Sequence, residues 1–101
     1  MNGTVADNPD ENRYEIRLDG ELAGYSEYRA RPGLIAFVHT EIEAGFKHRG
    51  LGERLVSEAL DDARTRGLTV LPFCPFVQAF IQAHREYTSL VPKDLWETFG
   101  L

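Results

Sequence analysis

A chain of 101 residues predicts one domain, and 43% hydrophobic with 27% charged residues is typical of a globular protein. Its 11 basic and 16 acidic residues give a net charge of −5, which argues against a general binder of nucleic acids or anionic membranes. The single cysteine cannot form an internal disulfide and therefore favours a cytoplasmic location, and no apolar run approaches the ~18 residues of a membrane span.

The N-terminal segment, residues 1–12, is polar and acidic. It lacks a basic start followed by an apolar stretch, so we do not expect a signal peptide. We predict a flexible tail over residues 1–12 and a single domain over residues 13–101. For the domain as a whole we expect a monomer or a weak dimer.

Three strands are predicted next, separated by short turns. Residues 13–18 alternate polar and apolar side chains, as a strand with one solvated face does. Asp19-Gly20 and Pro32-Gly33 predict turns, with a second strand over residues 21–31 between them. The third strand covers residues 34–42, and short connections of this kind favour an antiparallel meander.

The third strand begins with apolar side chains on both faces, which predicts a central strand covered on two sides. Simple alternation puts Thr40 and Ile42 on one face and His39 and Glu41 on the other. Polar side chains appear only near the carboxyl end of this strand, where ligands bind in α/β sheets.

A helix over residues 50–66 is predicted by apolar side chains at intervals of four. Residues 69–74 follow as a short strand, and Pro75 suits the first turn of a C-terminal helix. Strand, helix and strand form a βαβ unit, whose strands are parallel. The predicted fold class is therefore mixed α+β or α/β: a three-stranded antiparallel meander, a βαβ unit with a parallel strand pair, and a C-terminal helix.

The loop before the first helix has the composition of an anion site. Lys47, His48 and Arg49 supply side-chain donors, and Gly50 and Gly52 let a ligand approach the backbone closely. A helix start leaves about four N–H groups without intrahelical partners, and the helix dipole adds roughly half a positive charge. A phosphate or pyrophosphate therefore suits this loop better than a neutral ligand.

The same residues carry a resemblance to a known family. Lys47-x-x-Gly50-x-Gly52 resembles the Gln/Arg-x-x-Gly-x-Gly/Ala loop of the GNAT acetyltransferases, although Lys47 replaces their Gln or Arg. Ile42-x-x-x-Phe46 is similar to the Val-x-Pro-x-Tyr sequence that precedes their loop.

Two flanking stretches, His39-Thr40-Glu41 and Pro72-Phe73-Cys74-Pro75-Phe76, make the chain look like the minimal GNAT-like proteins of about this length. The resemblance implies that the loop holds the pyrophosphate of acetyl-coenzyme A, while main-chain groups near Thr40 and Ile42 bond its pantetheine arm. The implied coenzyme A site comprises Thr40, Ile42, Lys47, His48, Arg49, Gly50, Leu51, Gly52 and Glu53.

Cys74 is a candidate catalytic residue. It stands at a predicted strand end and helix start, where the helix dipole lowers a thiol pKa. The resemblance implies a catalytic cysteine at this position, as an acyl carrier or a proton donor. The alternative is a buried cysteine that packs as a small hydrophobic residue.

His39 and Glu41 are candidates for the base that deprotonates an amine, since histidine titrates near neutral pH. The alternative is that this pair is hydrogen-bonded structure. We expect no metal site, because the spacings of Cys74 and the histidines match no usual zinc motif.

Two functions remain open on the sequence alone. The first is an N-acetyltransferase that moves an acetyl group from acetyl-coenzyme A to an amine, either of a small molecule or of a protein. The second is a non-catalytic module or sensor that binds coenzyme A or an acyl form. We weigh it because we expect the chain to begin directly with strands and to lack the helices that shape the acceptor pocket in larger GNAT proteins.

Overall fold

A computed structural model describes residues 3–101. Its strands are β1 (Gly3–Asn8), β2 (Arg13–Leu18), β3 (Glu21–Arg31), β4 (Leu34–Ile42) and β5 (Thr69–Pro72). Its α-helices are α1 (Leu51–Thr65) and α2 (Pro75–Ala83). Short 3-10 helices cover Pro9–Glu11, Ala44–Phe46, Arg85–Leu90 and Lys93–Leu95. None of the helices within residues 3–101 is long and apolar enough to cross a membrane.

The strands form one sheet in the order β1-β2-β3-β4-β5. The first four strands pair antiparallel, and β4 pairs parallel with β5. The predicted antiparallel meander and the predicted βαβ unit are therefore confirmed. Pro72 is at the end of β5, an edge strand, where its missing N–H breaks no ladder.

The prediction of a flexible tail is wrong for Gly3–Asn8, which form β1, while Met1 and Asn2 lie outside the described residues. The sequence did not predict β1 because the segment is polar. As an edge strand, β1 is held partly by polar side-chain contacts. The carboxylate of Asp7 accepts a hydrogen bond from the Tyr28 hydroxyl at 2.6 Å and pairs with Arg66 at 3.3 Å. The meander consequently has four strands instead of three.

Helix α1 matches its prediction to within one residue at each end. Its buried stripe includes Leu55, Ala59 and Ala63, and Gly67 follows with a φ of 69°, a conformation that favours glycine at a helix end. Because this stripe packs against β2, β3 and β4, the start of α1 is held beside the carboxyl end of β4.

The last third of the chain departs from the predicted boundaries. Strand β5 ends at Pro72, two residues early, because the chain turns there into α2. Helix α2 ends at Ala83, since His84 leaves the helical conformation with a φ of −129° and its ring stacks on Phe80. The apolar spacing beyond this point belongs to a 3-10 helix in which Tyr87 is buried.

Helices α1 and α2 contact each other and lie on one face of the sheet, which we call the helix face. The opposite face of the sheet is called the outer face. Ile35 and Phe37 of β4 point to the helix face and join the buried core.

A bulge in β4 corrects the predicted faces of this strand. Tyr28 of β3 pairs with Phe37 whereas its neighbour Glu27 pairs with His39, so Val38 is an extra residue on β4. The extra residue shifts the alternation by one position. Thr40 and Ile42 therefore join the helix face, which they would not share with Phe37 in a regular strand.

Candidate functional site

Strand β4 has two halves with different surroundings. Its closed half, residues 34–37, pairs with β3 on one side and with β5 on the other. The Cys74 N–H donates to the Phe37 carbonyl at 2.8 Å, and the chain then turns away into α2. Its open half, residues 38–42, pairs with β3 but with no other strand among residues 3–101.

The start of α1 faces the open half. Gly50 caps this helix with a φ of 73°, in the left-handed region that favours glycine, and no side chain caps the helix start. The first intrahelical bond runs from the Arg54 N–H to the Gly50 carbonyl at 3.2 Å. The preceding N–H groups at the helix start therefore have no intrahelical acceptor, which is the condition for holding an anion.

A cavity of about 360 Å³ lies between the open half and the start of α1. It is lined by Thr40, Ile42, Phe46, Lys47, His48, Gly50, Leu51, Gly52, Glu53 and Phe76. Eight of the nine residues expected to contact coenzyme A line this cavity, and Arg49 is the ninth. Arg49 does not line the cavity; its guanidinium donates to the Gly45 carbonyl at 3.4 Å and lies 5.6 Å from the Phe46 ring centre.

Phe76 is a lining residue that the sequence did not identify. Its ring lies over Gly52, where an added Cβ would come within 2.7 Å of the ring, so a larger residue at this position would displace the Phe76 ring. Phe76 and Phe80 are four residues apart, as on one face of a helix, and Phe80 is buried. Phe76 remains 38% exposed because it stands at the cavity, and a large apolar residue one position after Pro75 was the available signal.

Cys74 is buried next to the cavity and is not one of its lining residues. The residue is 2% exposed. Its thiol donates to the Thr40 hydroxyl oxygen across 3.4 Å, and that oxygen is 2.9 Å from the hydroxyl of Ser26, which is fully buried. Cys74 is therefore linked to the cavity by its hydrogen bond to Thr40, which lines it.

His39 and Glu41 alternate with Thr40 and consequently lie on the outer face. Their side chains form a pair at 2.8 Å and are each about half exposed. The His39 ring also contacts the Tyr25 ring, with centres 6.1 Å apart. The structure thus separates these two residues from Cys74 and from the loop. Within residues 3–101, no cluster of His, Cys, Asp or Glu side chains could hold a metal ion.

A larger cavity of about 480 Å³ lies between β1 and α1, but its chemistry is unsuited to a phosphate. Its lining includes Asp7, Glu58, Asp61 and Asp62, with Arg66 as the basic side chain. The Tyr14 hydroxyl donates to Asp62 at 2.5 Å, and burial, reinforced by this bond, raises the pKa of Tyr14. These carboxylates would repel an anion, so the cavity beside the loop is the candidate site.

The sequence matches the family model of the GCN5-related N-acetyl-transferases over residues 13–90. The chain belongs to this family. The match covers both halves of β4, the loop, α1 and α2, and it confirms the resemblance drawn from the loop and its flanking motifs. No curated protein matches the sequence.

Solved structures of GCN5-related N-acetyltransferases share the fold. A protein from Staphylococcus aureus assigned as a GCN5-like N-acetyltransferase has a TM-score of 0.66 at 19% identity, over 88% of this chain and 87% of its own. The ribosomal-protein-alanine N-acetyltransferase of Brucella melitensis biovar Abortus has a TM-score of 0.52 at 17% identity, over 79% of this chain and 60% of its own. A GNAT-family protein from Desulfovibrio desulfuricans has a TM-score of 0.52 at 21% identity, over 76% and 52%. At these identities the likeness establishes the fold alone.

Proposed function

We propose that this protein is an N-acetyltransferase that moves an acetyl group from acetyl-coenzyme A to an amine. The observation that carries the proposal is one cavity that joins an anion-binding helix start to the open half of β4. The first feature suits a pyrophosphate, and the second suits an extended arm that bonds to a strand edge. The identity of the amine, whether on a small molecule or a protein, is left open.

The loop end of the site would hold the pyrophosphate. We assign this role to the N–H groups of Leu51, Gly52 and Glu53, with Lys47 and His48 at the rim of the cavity. Arg49 would stabilise the loop from behind through its contact with the Gly45 carbonyl.

The strand end of the site would hold the pantetheine arm and the thioester. The edge of the open half, near Thr40 and Ile42, offers main-chain groups to an amide-bearing arm, as a neighbouring strand would. The amine nitrogen attacks the thioester carbon, the carbon–sulfur bond breaks, and coenzyme A leaves as a thiolate that takes up the proton lost by the nitrogen. Holding amine and thioester together would supply most of the rate enhancement.

His39 and Glu41 are proposed as the base only for an amine that arrives from the outer face. Their hydrogen-bonded pair is accessible to solvent there and lies beside the open half. A buried Cys74 that touches Thr40 is a poor acyl carrier, because its sulfur has no direct opening to the cavity. The cytoplasmic location and the monomeric or weakly dimeric state stay predictions.

The first experiment is a thermal melt with coenzyme A and with desulfo-coenzyme A. Both should raise the melting temperature, since a ligand that binds only the folded state stabilises it by mass action. The two ligands should act almost equally, because the loop holds the pyrophosphate and not the sulfur. Absence of a shift with either ligand at millimolar concentration would overturn the assignment of the cofactor.

The alternative is a module that binds coenzyme A without turnover. One observation favours it: Cys74 is buried, while His39 and Glu41 lie on the other face of the sheet. Release of free coenzyme A thiol separates the two functions. An enzyme releases thiol continuously when acetyl-coenzyme A is supplied with a panel of amines, whereas a binding module shows the thermal shift with no amine-dependent release.

A further inference from the structure

A short chain of polar side chains ends at the cavity wall. It runs from Ser26 on β3 to Thr40 on β4, which are paired across the two strands, and on to Cys74 before α2. Ser26 is fully buried and Cys74 nearly so, while Thr40 lines the cavity. The bulge at Val38 is what brings Thr40 into this chain, since it turns the Thr40 side chain to the helix face.

The direction of the hydrogen bonds follows from counting donors. Thr40 is the one hydrogen-bond partner of the Ser26 hydroxyl among residues 3–101, with side chains and backbone carbonyls both considered. If Thr40 donated to Ser26, the Ser26 hydrogen would be buried without an acceptor, which is costly. Ser26 therefore donates to the Thr40 oxygen, and the Cys74 thiol donates to the same oxygen.

A hydroxyl oxygen has two lone pairs and one hydrogen. Both lone pairs of Thr40 are occupied by Ser26 and Cys74, so its own hydrogen is free to be donated to a ligand in the cavity that Thr40 lines. Accepting two hydrogen bonds also polarises the Thr40 O–H and makes it a stronger donor.

We propose that the Thr40 hydroxyl is the side-chain donor that this site presents to the carbonyl oxygen of a bound acetyl thioester, with Ser26 and Cys74 as its positioning residues. This inference rests on the proposed function. Attack by an amine places negative charge on that oxygen, and a donor fixed in advance stabilises the charge at the moment it forms. Cys74 thereby acts through Thr40 as a buried hydrogen-bond donor, without carrying the acetyl group.

The test uses acetyl-coenzyme A labelled with carbon-13 at the acetyl carbonyl, bound to the whole protein and measured by isotope-difference infrared spectroscopy. A hydrogen bond lowers the stretching frequency of a carbonyl. Thr40→Val removes the hydroxyl with little change in shape and should raise this frequency relative to wild type. Thr40→Ser keeps the hydroxyl and should leave the frequency near the wild-type value.

The positioning residues are tested in the same way. Ser26→Ala and Cys74→Ala each remove one donor to Thr40 and should raise the frequency part of the way toward that of Thr40→Val. Cys74→Ser keeps a donor and should stay closer to wild type than Cys74→Ala. A structural role alone would change the melting temperature of these variants and leave the carbonyl frequency unchanged.

Binding is measured first by calorimetry, so that two kinds of failure are distinguished. If wild type does not bind acetyl-coenzyme A, the proposed function and this inference both fall. If Thr40→Val binds the thioester with an unchanged carbonyl frequency, the inference falls and the proposed function stands. An acetyl adduct on Cys74, seen in the intact mass after incubation, would also overturn it, because the sulfur would then be the acyl carrier.

Discussion

The two halves of β4 belong to one strand and have opposite roles. The closed half is paired on both sides, and its Phe37 side chain is 1% exposed in the core. The open half extends beyond the end of β5, and its residues Thr40 and Ile42 line the cavity of the candidate site. A bulge at Val38 separates them.

This difference shows how a small domain forms a cavity at the edge of a strand without extra helices or strands. Paired strands leave no main-chain groups for a ligand, and so the closed half contributes stability alone. Ending β5 at Pro72 frees the neighbouring edge of β4, while the closed half keeps the freed edge in place. The candidate site therefore depends on β5 ending before its neighbour β4 does.

The largest effect is expected from Phe37→Ala in the closed half. The Phe37 ring lies 6.2 Å from that of Tyr14 and 6.5 Å from that of Tyr28, so its removal leaves a cavity in the core. We expect the free energy of unfolding to fall by about 3–5 kcal/mol, measured by urea denaturation.

Ile35→Val is the milder companion variant, with an expected loss of about 1 kcal/mol, and it should remain folded. Its affinity for coenzyme A per folded molecule should equal that of wild type. A weakened affinity would show that the closed half also participates in binding, so that the two halves of β4 do not have separate roles.

The next effect concerns Gly52, which faces the open half across the cavity. Gly52→Asp places a side chain against the Phe76 ring and a negative charge where phosphate is expected. The dissociation constant for coenzyme A should rise at least about 100-fold, close to 2.7 kcal/mol, in a calorimetric titration.

Gly45→Asp is the matched control, because it adds the same charge nearby at a position with open space around it. Its effect should stay within about 1 kcal/mol, as for an exposed charge near a helix start. Equal losses in the two variants would mean that charge, and not the close approach at Gly52, decides binding.

A smaller effect is expected on the outer face, where Glu15 is buried between Arg13 and Arg17. Burial alone would raise the pKa of Glu15, but hydrogen bonds from Arg13, Asn8 and Arg17 outweigh it and hold that pKa below its ordinary value of 4.5. A lowered pKa in the folded state contributes stability above pH 4.5, and this contribution is lost as the pH falls through the lowered value.

Glu15→Gln should therefore cost about 1–2 kcal/mol at pH 7, and the difference from wild type should shrink as the pH is lowered past 4.5. Unfolding curves at several pH values measure it. A difference that stays constant down to acid pH would contradict the lowered pKa. The affinity for coenzyme A should not change, since Glu15 lies on the face opposite the cavity.

The smallest effect is expected from Lys47→Ala. Lys47 is exposed at the rim of the cavity, so its removal should weaken coenzyme A binding by about 0.3–1 kcal/mol, with less effect at high salt. Lys93→Ala is the matched control. It removes the same charge beside Trp96, away from the residues that line the cavity, and should leave the affinity for coenzyme A unchanged. An equal loss in both variants would indicate a general effect of net charge.

Local patterns in the sequence were enough for most of the fold. The turns at Asp19-Gly20 and Pro32-Gly33 set the hairpins, and apolar side chains at intervals of four set α1. β1 escaped prediction, because an edge strand attached by Asp7 to Tyr28 and Arg66 has no apolar alternation to detect.

The candidate site likewise has one part that the sequence predicted and another part that it did not. The loop could be predicted from the sequence, because the glycines Gly50 and Gly52 and the charge of Lys47 at a helix start are local properties. The faces of β4 could not be predicted from the sequence, since a bulge depends on how two strands pair and cannot be recognised in either strand alone. The tertiary structure therefore decided that Thr40 meets the cavity, that Cys74 is buried behind it, and that His39 and Glu41 lie on the opposite face.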